Sequence, residues 1–196
     1  MSVVITCYSV APSATPPAQP VQPATGGPGR PADQPAVQPA ARPAVYRAVN
    51  EDARFGYITV DPSGAEPPAP AGTLTGRYEV VHEGATTAPP FGGAVGAPLI
   101  FVNCMEFPPG REEVAFDFWL RVNEYMVRKP GYRWHRLHRR VEAGAPFGQI
   151  NVVEWESIEA WDAAHDDGFF ALTRRPDIPF VAVPTLCRAL TLPVEA

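Results

Sequence analysis

Leu137-His-Arg-Arg-Val-Glu-Ala-Gly-Ala-Pro-Phe-Gly-Gln-Ile-Asn-Val152 repeats, without a gap, an earlier stretch of the same chain, Val45-Tyr-Arg-Ala-Val-Asn-Glu-Asp-Ala-Arg-Phe-Gly-Tyr-Ile-Thr-Val60. Seven of the sixteen positions are identical. Each copy has two apolar runs around a short turn, the spacing of a β-hairpin. A second block repeats upstream: Ile5-Thr-Cys-Tyr-Ser-Val-Ala-Pro12 matches Val102-Asn-Cys-Met-Glu-Phe-Pro-Pro109. Self-similarity over such a length marks a duplicated supersecondary unit.

Outward from the repeat, the pattern predicts eight strands, over residues 3–10, 45–50, 55–61, 75–83, 99–107, 133–142, 147–155 and 180–190. Two helices stand between strands of the second half. The first spans 111–128, with Glu112 and Glu113 in its first turn and Arg128 and Lys129 at its end, charges that suit the helix dipole. Ala115, Trp119, Val122 and Met126 share one of its faces. The second starts after Ser157, an N-cap residue type, and carries Ile158, Trp161, Ala164 and His165 on one side. It is expected to stop near Gly168, with a further turn through Leu172.

The second half therefore reads β-α-β-β-α-β, a ferredoxin-like unit. The first half has the same four strands and no clear helices. The chain holds 25 prolines in 196 residues, over twice the usual ~5%, and many fall in residues 11–44, a Pro/Ala/Gln-rich insertion with almost no charge. The organisation expected is a degenerate unit at 1–88 with that insertion, a Pro/Gly hinge at 89–98, and a complete unit at 99–196. The fold class is α+β: two ferredoxin-like units forming a pseudo-dimeric α/β barrel within one chain. A helix-free first sheet would leave one face uncovered, which keeps a homodimer open.

Composition excludes several classes. With 16 Lys+Arg against 21 Asp+Glu the net charge is −5, so no global field favours nucleic acid. Cys7, Cys104 and Cys187 lie far apart, without the paired spacing of a zinc site or a disulfide framework, and read as buried apolar residues of a reducing compartment. The N-terminus lacks a basic region before its short apolar run, and no run reaches the ~20 residues of a membrane helix, so a cytoplasmic protein is expected. No GxGxxG, P-loop or GxSxG motif occurs. His135 and His138, amid Arg133, Arg136, Arg139 and Arg140, read as part of a solvated, salt-bridged strand face without metal-ligand spacing.

The second unit resembles the antibiotic biosynthesis monooxygenase family, through Phe101-Val-Asn-Cys-Met-Glu-Phe-Pro-Pro-Gly-Arg-Glu-Glu113, Lys129-Pro-Gly131, Arg136-Leu-His-Arg139 and Asn151-Val-Val-Glu-Trp-Glu-Ser157. The likeness covers about residues 99–190, and reaches the first half only through the repeat. It is closest to members serving aromatic polyketide pathways. It implies a dimeric α/β barrel, a polyketide substrate with dioxygen, no cofactor, and work beside other enzymes of such a pathway. It also implies that Asn151 and Trp155 sit in a pocket between sheet and helices. Strand geometry puts that pair on one face by itself.

His165, one helical turn after Trp161, is the best local base or anion partner, and Asn151, Trp155 and His165 are the candidate catalytic residues. Trp119, Trp161 and Arg175 are the candidates for substrate binding. Trp161 stands where the family has a tyrosine, which removes a hydroxyl. In the first unit Thr59 and Ser63 stand at the positions of Asn151 and Trp155. The leading reading is a cofactor-independent monooxygenase taking an anthrone or phenol to a quinone. A polyketide cyclase, or a non-catalytic polyketide-binding partner, stands as the alternative.

Overall fold

The computed structural model describes residues 2–9, 43–64, 71–86, 88–92, 97–174 and 177–190. Most of the Pro-rich insertion, the middle of the hinge, and Arg175 lie outside these residues.

Eight strands form a single closed barrel: β1 (Ser2–Tyr8), β2 (Ala44–Ala48), β3 (Tyr57–Asp61), β4 (Leu74–Ala85), β5 (Leu99–Glu106), β6 (Tyr132–Arg140), β7 (Gln149–Trp155) and β8 (Val181–Leu190). The order around the barrel is β1-β3-β2-β8-β5-β7-β6-β4, with every neighbouring pair antiparallel. Each unit keeps the same internal order, β4-β1-β3-β2 in the first and β8-β5-β7-β6 in the second. The two seams, β2–β8 and β4–β6, are equivalent under the repeat. The duplication in sequence is thus an approximate two-fold in space, and closure leaves no free sheet edge.

The interior records that symmetry. Phe55 and Phe147, equivalent positions of the two hairpins, meet edge to face with ring centroids 5.9 Å apart. Cys7 and Cys104, another equivalent pair, are free thiols buried in the same core with Ile5, Ile58, Ile150 and Cys187. Gly148 is needed for close packing, since a Cβ there would overlap the Phe107 ring.

Three helices are described, all from the second unit: α1 (Glu112–Met126), α2 (Ile158–Ala164) and α3 (Asp167–Thr173). Ser157 caps α2, its Oγ accepting from Ala160 N at 3.2 Å. The expected second helix breaks earlier than Gly168, between Ala164 and Asp167. The reason is Asp166, whose carboxylate accepts from Gly168 N and Phe169 N and so starts α3 afresh. Helix α1 ends at Met126, before the basic pair, and Lys129 instead binds Asp166 Oδ2 at 2.6 Å. Tyr125 Oη donates to Asp166 Oδ1 at 2.5 Å, so one carboxylate ties α3 to the end of α1.

Two expectations are corrected. His135 and His138 do not lie on a solvated face: they are 4% and 2% exposed. Strand β6 is paired on both sides, and at these two positions it is covered, His135 lying against Trp119 of α1 and His138 turning to Ile150 O, while Arg133 and Arg136 remain exposed. The first sheet is not left with an uncovered face either, because its outward residues Tyr8, Val45 and Tyr57 are buried together. The described start of the hinge is tied down, with Phe91 N donating to Glu156 Oε2 and Gly131 N to Pro89 O. No described helix is long and apolar enough to cross a membrane.

Candidate functional site

A cavity of about 610 Å³ lies between the outer face of the second sheet and its helices, within the range of about 300–1,000 Å³ usual for small-molecule sites. The pleat builds its floor. Phe101, Asn103 and Met105 project from β5, Asn151, Val153 and Trp155 from β7, and Ala182, Pro184 and Leu186 from β8. Each set is spaced by two, as side chains on one strand face must be. Helix α1 supplies Phe118, Trp119, Val122, Asn123 and Met126 as a wall. Trp161, His165, Phe169 and Thr173 close it from α2 and α3.

The structure brings Asn151, Trp155, His165, Trp119 and Trp161 to this one cavity. Asn151 is 8% and Trp155 1% exposed. Trp155 packs edge to face on Tyr132, centroids 4.9 Å apart. His165 sits between Trp161 and Phe169, each 4.2 Å away by ring centroid. Its Nδ1 lies 2.6 Å from Trp161 O, which makes Nδ1 the protonated nitrogen and leaves Nε2 with a free lone pair. Burial holds the His165 pKa below the ordinary 6.5, against the raising effect of that carbonyl.

Three buried polar groups on the cavity have no partner among the described residues. They are Asn103 Oδ1, Asn151 Oδ1 and Trp161 Nε1. Asn103 and Asn151 are direct cross-strand partners on β5 and β7. Buried polar atoms are nearly always satisfied, so this cluster is unusual: it leaves two acceptors and one donor available inside the cavity. The indole N–H of Trp161 also returns a donor to the position where a hydroxyl was expected to be missing.

Sequence reasoning missed several residues here. Asn103 has no role in the sequence reading, although its place two residues from Phe101 and Met105 on an apolar strand marks it as a polar residue on their face. Asn123, one helical turn beyond Trp119, accepts from Tyr132 Oη at 3.0 Å, and its Nδ2 lies 3.5 Å from His135 Nε2. His82, from the first unit, reaches the same His135 nitrogen at 2.9 Å. Burial and the His82 ring lower the His135 pKa to about 4. Asn50 and Asp52, in the β2–β3 turn of the first unit, also line the cavity. The first unit is therefore more than the other half of a barrel. Among the described residues no cluster of three or more potential metal ligands occurs.

Comparison with solved structures places the fold. An anthrone oxidase-like protein aligns over 97% of this chain and 91% of its own, with a TM-score of 0.58 at 12% identity. The chain has the fold of that protein. A major regulator of staphylococcal pathogenesis aligns over 76% of this chain and 85% of its own, with a TM-score of 0.50 at 11% identity. A mutant form of SnoaB, a cofactor-independent oxygenase from Streptomyces nogalater, aligns along 100% of its length with 50% of this chain, at 22% identity and a TM-score of 0.43. A ferredoxin-fold protein from Listeria monocytogenes, related to antibiotic biosynthesis monooxygenases, aligns over 76% of this chain and 81% of its own, with a TM-score of 0.45 at 9% identity. No protein-family model matches the sequence. No curated protein matches it either.

Proposed function

We propose that the protein is a cofactor-independent oxygenase that converts an electron-rich polycyclic aromatic, an anthrone or phenol of the aromatic polyketide type, to a quinone in the cytoplasm. The observation that carries this reading is the Asn103–Asn151 pair, cross-strand neighbours at the floor of an aromatic-walled cavity, whose buried, unpartnered oxygens can accept from a phenol hydroxyl and whose amide N–H groups can donate to an oxyanion. The sequence resemblance of the second unit and the fold of the anthrone oxidase-like protein support it.

The chemistry asks little of the protein beyond placement. An anthrone methylene loses a proton to give an enolate, and that anion passes electrons to dioxygen. The resulting peroxide loses water to leave the new carbonyl, so one CH2 and one O2 give one C=O and one H2O. His165 Nε2 takes the first proton. The amide N–H groups of Asn103 and Asn151 donate to the enolate and peroxide oxygens, where charge develops in a water-poor site. Trp155, Trp119 and Trp161 hold the rings flat, and the Trp161 N–H offers a further donor.

The test is an oxygen electrode with the purified protein and dithranol, followed by mass spectrometry. The reading expects dioxygen uptake equal to product formed, with a gain of one oxygen and a loss of two hydrogens. Loss of water from a poly-β-ketone substrate without dioxygen uptake would instead make the protein a cyclase. Tight binding without turnover would make it a carrier.

A further inference from the structure

A turn of the first unit forms part of the rim of the second unit's cavity. Asn50 and Asp52 line it, and Asp52 is exposed, which puts it where the cavity meets solvent. The turn is held firmly. Asn50 Oδ1 accepts from Leu186 N at 3.1 Å, and Val49 N donates to Leu186 O at 2.8 Å. Arg54 pairs with Glu106 at 2.5 Å, tying the same turn to the end of β5. Asn50 Nδ2 then donates to Asp52 Oδ1 at 2.8 Å and fixes the carboxylate's direction. An ionised carboxylate can accept several hydrogen bonds, so this one leaves it capacity for a ligand. Arg54, the nearest basic side chain in sequence, is committed to Glu106 and does not neutralise it. At the repeat-equivalent positions 142 and 144 the second unit has Glu142 and Gly144, so this Asn-x-Asp turn belongs to the first unit alone.

We propose that Asp52, oriented by Asn50, is a selectivity lip. It accepts a hydrogen bond from a hydroxyl at the solvent end of the bound aromatic and turns away ligands that carry a carboxylate there. This rests on the reading of the cavity as an aromatic-ligand site. Discrimination comes from repulsion as much as attraction: a ligand carboxylate beside Asp52 meets a like charge at the edge of a low-dielectric cavity, while a hydroxyl finds an acceptor. The ligand this lip admits is a polycyclic phenol whose outer end is neutral.

The experiment compares aloe-emodin with rhein, a matched pair of anthraquinones bearing a hydroxymethyl and a carboxylate at the same carbon. Binding to the full chain is read by quenching of tryptophan fluorescence, since Trp119, Trp155 and Trp161 line the cavity. Wild type is expected to prefer aloe-emodin by about tenfold or more. D52N should shrink that preference and D52K should reverse it, with melting temperatures close to wild type because the residue is exposed. A preference unchanged in both variants would overturn the lip while leaving the aromatic site intact. Absence of binding by either probe to wild type would overturn the aromatic reading and the lip with it.

Discussion

Asn103 on β5 lies directly opposite Asn151 on β7, at the ladder position where β1 and β3 carry Thr6 and Thr59. The backbone is duplicated and the chemistry is not. In the first unit the polar pair is satisfied locally: Thr75 Oγ1 donates to Thr6 Oγ1 at 3.3 Å, and Thr59 hydrogen-bonds the Tyr8 phenol. In the second unit both amide oxygens are buried without a partner. One copy closes its polar pair within the protein, and the other leaves it open to the cavity.

The tautomer of His165 gives a pH dependence. Nε2 accepts a proton only while the ring is neutral, and burial keeps the pKa below the ordinary 6.5. Turnover of an anthrone should therefore be flat above neutrality and fall on the acid side as the ring protonates. His165→Gln should lose about 10²–10⁴-fold in rate and lose the acid limb too. A His165→Gln profile of the same shape as wild type would assign that limb to the substrate.

Acid should also destabilise the fold. His135 and His138 titrate near 6.5 when unfolded and at about 4 when folded, in each case chiefly through burial. The unfolded chain then binds more protons below 6.5. Their contribution to stability is complete above that pH and is lost as pH falls from 6.5 through 4. The loss is on the order of 3 kcal/mol for His138 at full extent, and smaller for His135, where solvent screens more of the effect. Melting followed by circular dichroism should show it already between pH 6 and pH 5, roughly above the carboxylate range. His138→Gln should flatten the curve. A melting temperature constant across that window would show that the imidazoles are not held neutral.

The two units should melt as one body. Phe55→Ala and Phe147→Ala should each destabilise by about 3–5 kcal/mol. Because the rings touch across the two-fold, the double variant should cost less than the sum by about 0.5–1.5 kcal/mol. Two separate transitions, or strict additivity, would contradict a shared core.

Much of this fold was legible because the repeat fixed the strands in pairs. Once the hairpin at Val45 matched that at Leu137, strand alternation and the apolar stripe of α1 followed from period alone. Asn151 and Trp155 could be placed on one face for the same reason, four residues apart on a strand. What escaped was whatever depends on closure of the barrel. His82 meets His135 only because β4 pairs with β6 across the seam, and Asp52 reaches the second unit's cavity only because β2 pairs with β8. No local pattern carries such contacts. The burial of His138 is hidden in the sequence for a related reason: its charged neighbours Arg136, Arg139 and Arg140 pair with Glu83, Glu113 and Glu112 while its own ring turns in to Ile150 O.

The most direct measurement is the anthrone oxidation rate of Asn151→Ala set against that of Thr59→Ala. Loss of a hydrogen bond to a developing anion, worth roughly 1.5–3 kcal/mol, lowers the rate by about ten- to a hundredfold. Asn103→Ala should fall in the same range. Trp155→Phe, which keeps the ring wall, should lose less. Thr59→Ala, at the matching position of the first unit, should turn over at nearly the wild-type rate. Equal losses at Thr59 and Asn151, or an undiminished rate in a folded Asn151→Ala protein, would contradict a single catalytic site in the second unit.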